Sequence, residues 1–161
     1  LCGLSRDVMA EIQTAETADA DAVVDMWAAL ADGQRQYGSH IPAEPNRTQI
    51  REAVLRHITG NQLLLAREQQ LCGFVMFTVE QGTFEQDVTR GIVENLYVRP
   101  DVRRQGIGTA LLSRAERRLG ARGVDTVALN VMAANEPARQ FYRERGYSPQ
   151  RLELEKPVDH S

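Results

Sequence analysis

The sequence predicts a mixed α/β fold, built around one sheet and carried by 161 residues. Three observations lead there. Short apolar runs of strand character are interleaved with segments whose apolar residues recur at helical spacing. Gly, Pro and Asn punctuate the joints between them. Hydrophobic content of 42% beside 25% charged residues sits near the globular average, so a packed core is expected. A chain of this length suits one ordinary domain and is short for two. The domain is expected to span residues 1–161, with 1–10 and 157–161 as flexible tails.

The elements run in order along the chain. A strand is expected around Ile12. Thr17 or Asp19 then caps a helix whose Val23, Met26, Trp27 and Leu30 share one face. "ADGQRQYGSHIPAEPNR" carries two Gly and two Pro without periodicity and reads as a loop. Asn46 caps a second helix with Ile50, Val54 and Ile58 inward, ended by Gly60. "LLLA" and "LCGFVMFTVE" read as a hairpin turned by the polar "REQQ". "EQGTFEQDVTRG" interrupts the pattern, and "IVENLYV" restores it as a fourth strand stopped by Pro100. A third helix holds Leu111, Ala115 and Leu119 on one face, with Arg117, Arg118 and Arg122 at its carboxyl end, where cations complement the helix dipole. "DTVALNV" is a fifth strand, and "NEPARQFYRERG" a fourth helix capped by Asn135 and stopped by Gly146. "RLELEK" reads as a last strand.

Several function classes are excluded early. The formal net charge of −3 argues against a nucleic-acid partner, although seven arginines crowd residues 99–122. The longest apolar runs fall far short of the roughly 20 residues that span a bilayer, so no membrane partner is expected. "LCGLSRDVMAEIQ" is too polar and brief for a signal-peptide core. Cys2 and Cys72 are the two cysteines, one near the terminus and one in an apolar run, so no disulfide is expected and the chain reads as cytoplasmic. With no CxxC and three scattered histidines, no metal site is expected.

The chemistry concentrates in "RRQGIGTALL", residues 103–112. A strand, a glycine turn and a helix present free backbone N–H groups at a helix start, a ready anion site. Gly106 and Gly108 let an anion approach without a Cβ in the way, and Arg103 and Arg104 add charge-assisted donors. A Walker loop would need Gly-Lys where Leu111 stands, and a dinucleotide fingerprint would need a third glycine at the same position. Neither fits.

The stretch "VRPDVRRQGIGTALL" resembles the acyl-CoA pyrophosphate loop of the GNAT superfamily of N-acyltransferases, Gln/Arg-x-x-Gly-x-Gly/Ala, here Arg103, Arg104, Gln105, Gly106, Ile107 and Gly108. "NVMAANEPARQFYRERGY" resembles the family's second signature, with Asn135, Ala138, Tyr142, Gly146 and Tyr147 at the matching positions. The resemblance runs from about Glu11 to Lys156. It implies a central, mostly antiparallel sheet splayed between the fourth and fifth strands and flanked by about four helices. It also implies transfer of an acetyl group from acetyl-CoA directly to a primary amine, and it allows a homodimer. An acyl-CoA sensor without turnover, on the same fold, is the alternative.

The resemblance also implies the site residues. The pantetheine arm would lie along Leu96, Tyr97 and Val98, near Asn130, Asn135 and Ala138, with the pyrophosphate on residues 103–109, where Thr109 adds a hydroxyl. Tyr142 would donate a proton to the departing thiolate. The family's base on the fifth strand, twelve residues before the tyrosine, is replaced by Asn130. Glu94 is the candidate base instead; strand alternation puts it on the face of Leu96 and Val98. A water relay remains open. Tyr37, His40 and Glu80, with Arg47, are candidate acceptor contacts. His57 is expected to border the core.

Overall fold

The structure, a computed structural model, describes residues 10–82 and 84–160; the expectations for Cys2 and the amino-terminal tail lie outside them. Five strands form one sheet in the order β1-β2-β3-β4-β5: Glu11–Thr14, Leu63–Glu68, Gln70–Val79, Arg90–Val98 and Thr126–Leu129. The first four are antiparallel neighbours, and β5 joins β4 in parallel. Four helices flank them: α1 Ala20–Arg35, α2 Arg47–Thr59, α3 Ile107–Gly120 and α4 Glu136–Glu144. Among the described residues, no helix is long and apolar enough to cross a membrane.

Strand alternation sorts two cores onto the two faces of the sheet. On one, Leu63, Leu65, Phe74, Met76 and Tyr97 meet Val23, Trp27, Ile50 and Val54 of α1 and α2. On the other, Leu64, Val75, Phe77 and Val93 meet Ile107, Leu111, Leu112 and Leu119 of α3. Phe141, Tyr142 and Tyr147 close this second face from α4 and its end. Arg118 and Arg122 tie the far end of α3 to the turn after α2, donating to the Gly60 and Asn61 carbonyls.

Four expectations need correction. Helix α1 runs on through Ala31 and Gly33 to Arg35, inside the expected loop, because buried Ala28 and Ala31 extend its apolar face. The "REQQ" turn shrinks to Gln69, in a left-handed conformation (φ 60°), and the strands absorb its neighbours. Asn46 precedes α2, but its side chain donates to the Pro42 carbonyl rather than capping. "RLELEK" forms no strand. Leu152 and Leu154 are 78% and 89% exposed, so the alternation has no partner strand to supply a buried face.

Two irregularities in β4 shape its free end. Pairing with β3 steps from Met76↔Asn95 to Phe77↔Val93, so Glu94 is the extra residue of a β-bulge. Pairing with β5 covers only Arg90 to Val93, opposite Thr126 to Leu129. From Glu94 to Val98 the β5-facing edge of β4 has no strand against it, and the chain after Leu129 leaves the sheet.

A cleft at the parting of two strands

Where β4 and β5 part, a solvent-open cavity of about 90 Å³ forms. Val93 to Leu96 make one wall and Leu129 to Met132 the other. Leu30 and Gln34 of α1 reach it from one face of the sheet; Asn135, Ala138 and Tyr142 of α4 reach it from the opposite face. Glu94 is the sole charged side chain among these lining residues.

Beside the end of β4, α3 begins. Gly106 takes φ +80°, a left-handed conformation that glycine adopts without strain. Arg104 shares that region at φ 67°, an uncommon setting for a residue with a Cβ and one often found at ligand sites. The N–H groups of Ile107, Gly108 and Thr109 have no helical carbonyl before them. A Cβ on Gly108 would sit 3.5 Å from the Phe141 ring and 3.6 Å from Val98, so the start of α3 abuts both α4 and the end of β4. Arg103 folds back, its Nε 2.8 Å from the Val98 carbonyl and its guanidinium 5.8 Å from the centre of the Tyr97 ring. That leaves Arg104 and the helix N–H groups as the outward donors of this turn.

Arg145 braces the same helix start. Its Nε donates to Thr109 Oγ1 at 2.9 Å, Nη2 reaches the same oxygen, Nη1 donates to the Phe141 carbonyl at 2.7 Å, and the guanidinium lies 3.7 Å over the Phe141 ring. Thr109 therefore accepts from Arg145 and keeps its own hydroxyl hydrogen to donate.

Helix α4 is held by local chemistry. The Asn135 side chain accepts from the Ala138 N–H at 3.2 Å, Pro137 stands in the first turn, and Gly146 at φ +92° ends the element. This sets Tyr142 edge-on between Phe141 and Tyr147, with ring centroids 5.1 and 5.7 Å away. Burial pushes the Tyr142 phenol up to about 12, so it is neutral and able to donate. Among the described residues no protein group accepts from it, and it lines the cleft.

Glu94 departs from the sequence reading. The bulge breaks the alternation between it and Leu96 and Val98, which pack toward α3, so Glu94, following Val93 of that same core, lies on the face of α2. There its Oε2 lies 2.8 Å from His57 Nε2. His57 Nδ1 is 2.6 Å from the Ala53 carbonyl, and its side chain is only 12% exposed, against 32% for Glu94. Burial alone would lower the His57 pKa, but the Glu94 contact and the Ala53 carbonyl outweigh it and hold the imidazole above its ordinary value.

The cleft thus gathers Glu94, Leu96, Asn130, Asn135, Ala138 and Tyr142. Tyr97 is buried instead in the α1/α2 core against Phe74. Tyr37, His40 and Glu80 are not among the lining residues. His40 meets Glu155 of the carboxyl-terminal segment at 2.9 Å. Glu80 is tied to Gln86 and Arg90, which keep its carboxyl below the usual range. Arg47 pairs with Asp25. Sequence reasoning missed Gln34, His57 and Arg145. Only His57 left a trace, as a lone histidine on the inward edge of a helix.

A family model described as the acetyltransferase (GNAT) family matches residues 25–147. A mycothiol acetyltransferase from Clavibacter michiganensis subsp. michiganensis is 41% identical over 87 residues, 53% of this chain and 26% of that protein. This chain spans only about a quarter of that relative's length. A GCN5-related N-acetyltransferase from Ralstonia eutropha superposes with a TM-score of 0.74 at 25% identity, covering 92% of this chain and 98% of the other. The PaiA N-acetyltransferase of Thermoplasma acidophilum, solved with coenzyme A, shares the fold at 20% identity (TM-score 0.72, covering 89% and 92%).

Proposed function

The chain belongs to the acetyltransferase (GNAT) family, and on that premise we propose that it transfers an acetyl group from acetyl-CoA directly to a primary amine. One observation carries the reading: Glu94 and Tyr142 enter the same strand-parted cleft from opposite faces of the sheet.

The residues suit the donor. The start of α3 offers N–H groups, a left-handed glycine and Arg104 to a diphosphate, the pairing used at many helix N-termini. The uncovered edge of β4 offers main-chain groups to an extended amide-bearing arm, as an added strand would use them. When bound, the thioester supplies an acyl carbon open to nitrogen attack and a thiolate leaving group.

The protein's own groups do the rest. Glu94 takes a proton from the acceptor ammonium, which is mostly protonated near neutral pH. The nitrogen–carbon bond forms as the carbon–sulfur bond breaks, and Tyr142 hands its phenolic proton to the sulfur. The second proton released from nitrogen restores the phenol. Protons and charge balance with one proton left on the base.

Glu94 being the sole charge in the cleft bears on the acceptor as well. One carboxylate matches one ammonium, and no Lys, Arg or His among the lining residues would receive an acceptor carboxylate. The reading favours an amine on an otherwise uncharged body.

Thermal unfolding with acetyl-CoA, coenzyme A, ATP and NAD at matched concentration tests the donor. A ligand at a hundred times its Kd adds about 2.7 kcal/mol to folding stability. Shifts confined to the two coenzyme A forms are expected; a shift with ATP or NAD alone, or with none, would overturn the reading.

A further inference from the structure

We propose that His57 and Glu94 act as one proton-accepting unit, with Glu94 touching the acceptor amine and His57 serving behind it as a positioning residue and proton store. The inference rests on the proposed amine acetylation and adds a residue that neither family signature contains.

Hydrogen-bond accounting carries it. The Ala53 carbonyl can only accept, so the Nδ1 atom 2.6 Å away holds a hydrogen. That makes Nε2 the titrating nitrogen. It faces Glu94 Oε2 at 2.8 Å, where two acceptors can meet only with a proton between them. The pair therefore holds one shared proton at rest, and loses it as pH rises. In the form that has lost it, Glu94 takes a proton from the ammonium and passes it to Nε2, leaving imidazolium beside carboxylate.

The bulge reconciles the two faces. Alternation from Val93, buried against α3, turns Glu94 toward α2, and the extra residue lets Leu96 and Val98 return to the α3 side. Other charged groups around His57 are few. Arg56 on α2 opposes its protonation. Asp21 and Asp25 of α1 are engaged with Arg51 and Arg47 elsewhere along α2. The raised His57 pKa agrees with the geometry.

The test compares pH profiles of kcat/KM for an amine that the wild-type protein acetylates. In His57→Gln the amide can still donate to Glu94 but cannot store a proton. The plateau is expected to fall at least about tenfold, as loss of a general base does, and the midpoint to move toward acid, with the KM for acetyl-CoA unchanged. In parallel, nitrogen NMR should show the His57 ring titrating above about 6.5 in the wild type and falling back toward that value in Glu94→Gln. A wild-type profile in His57→Gln, or a His57 titration indifferent to Glu94→Gln, overturns the proposal while leaving amine acetylation intact. No amine-dependent thiol release from the wild type would overturn both.

Discussion

His57 Nε2 lies 2.8 Å from Glu94 Oε2, joining α2 to the one-residue bulge in β4. The contact fixes the single charged side chain of the cleft, and it predicts a pH dependence of folding. The folded-state pKa of His57 is raised, so the stabilisation is fully present below the unfolded value of about 6.5 and is lost as pH rises through the folded value. Urea midpoints should fall across that window in the wild type. In Glu94→Gln the fall should largely vanish.

Tyr142→Phe keeps the ring between Phe141 and Tyr147 and removes only the hydroxyl. Turnover is expected to fall about 10²-fold, within the range for loss of a general acid. The Kd for coenzyme A, read by calorimetry, should change less than about threefold.

Gly106→Ala places a Cβ at φ +80°, which costs about 1 kcal/mol in a left-handed conformation. No neighbouring atom lies within 4 Å of that Cβ, so the effect is conformational rather than a clash. The residue is expected either to hold the strained angle or to shift the turn. A small fall in melting temperature with at least tenfold weaker coenzyme A binding is predicted.

Arg145→Ala removes the brace between α4 and Thr109 without touching the lining of the cleft. The KM for acetyl-CoA should rise several-fold, while kcat at saturation stays within about twofold, because lost uniform binding leaves kcat alone.

Alkali should unfold the protein through its tyrosines. Burial raises Tyr142 to about 12, and burial together with Glu116 raises Tyr147 further. The folded state keeps protons that unfolded phenols lose above about 10, so stability falls as pH rises from there. Tyr147→Phe, which also loses the 2.7 Å bond to Glu116, should flatten that slope and cost about 1.5 kcal/mol at neutral pH.

What the sequence made legible is what depends on near neighbours. The glycine turn, the Asn135 cap and the Gly146 stop are each set within a few residues, and the family resemblance they carry holds. The face of Glu94 was read wrongly because alternation assumes an unbroken register, and one inserted residue reverses every side chain beyond it. His57 and Arg145 escaped for a related reason. Each acquires its role from a partner 36 or 37 positions away, and helical spacing carries no record of that partner. "RLELEK" misled in the other direction, since alternation predicts a strand but cannot supply a sheet edge to receive it.

Whether this cleft moves an acetyl group to nitrogen is decided by thiol release from acetyl-CoA across a panel of primary amines. Wild type and Tyr142→Phe should be run side by side. Release is expected to require an amine and to drop about 10²-fold in the variant while coenzyme A binding persists. Coenzyme A binding with no amine-dependent release would contradict the proposed transfer, and equal turnover in the two proteins would contradict the role given to Tyr142.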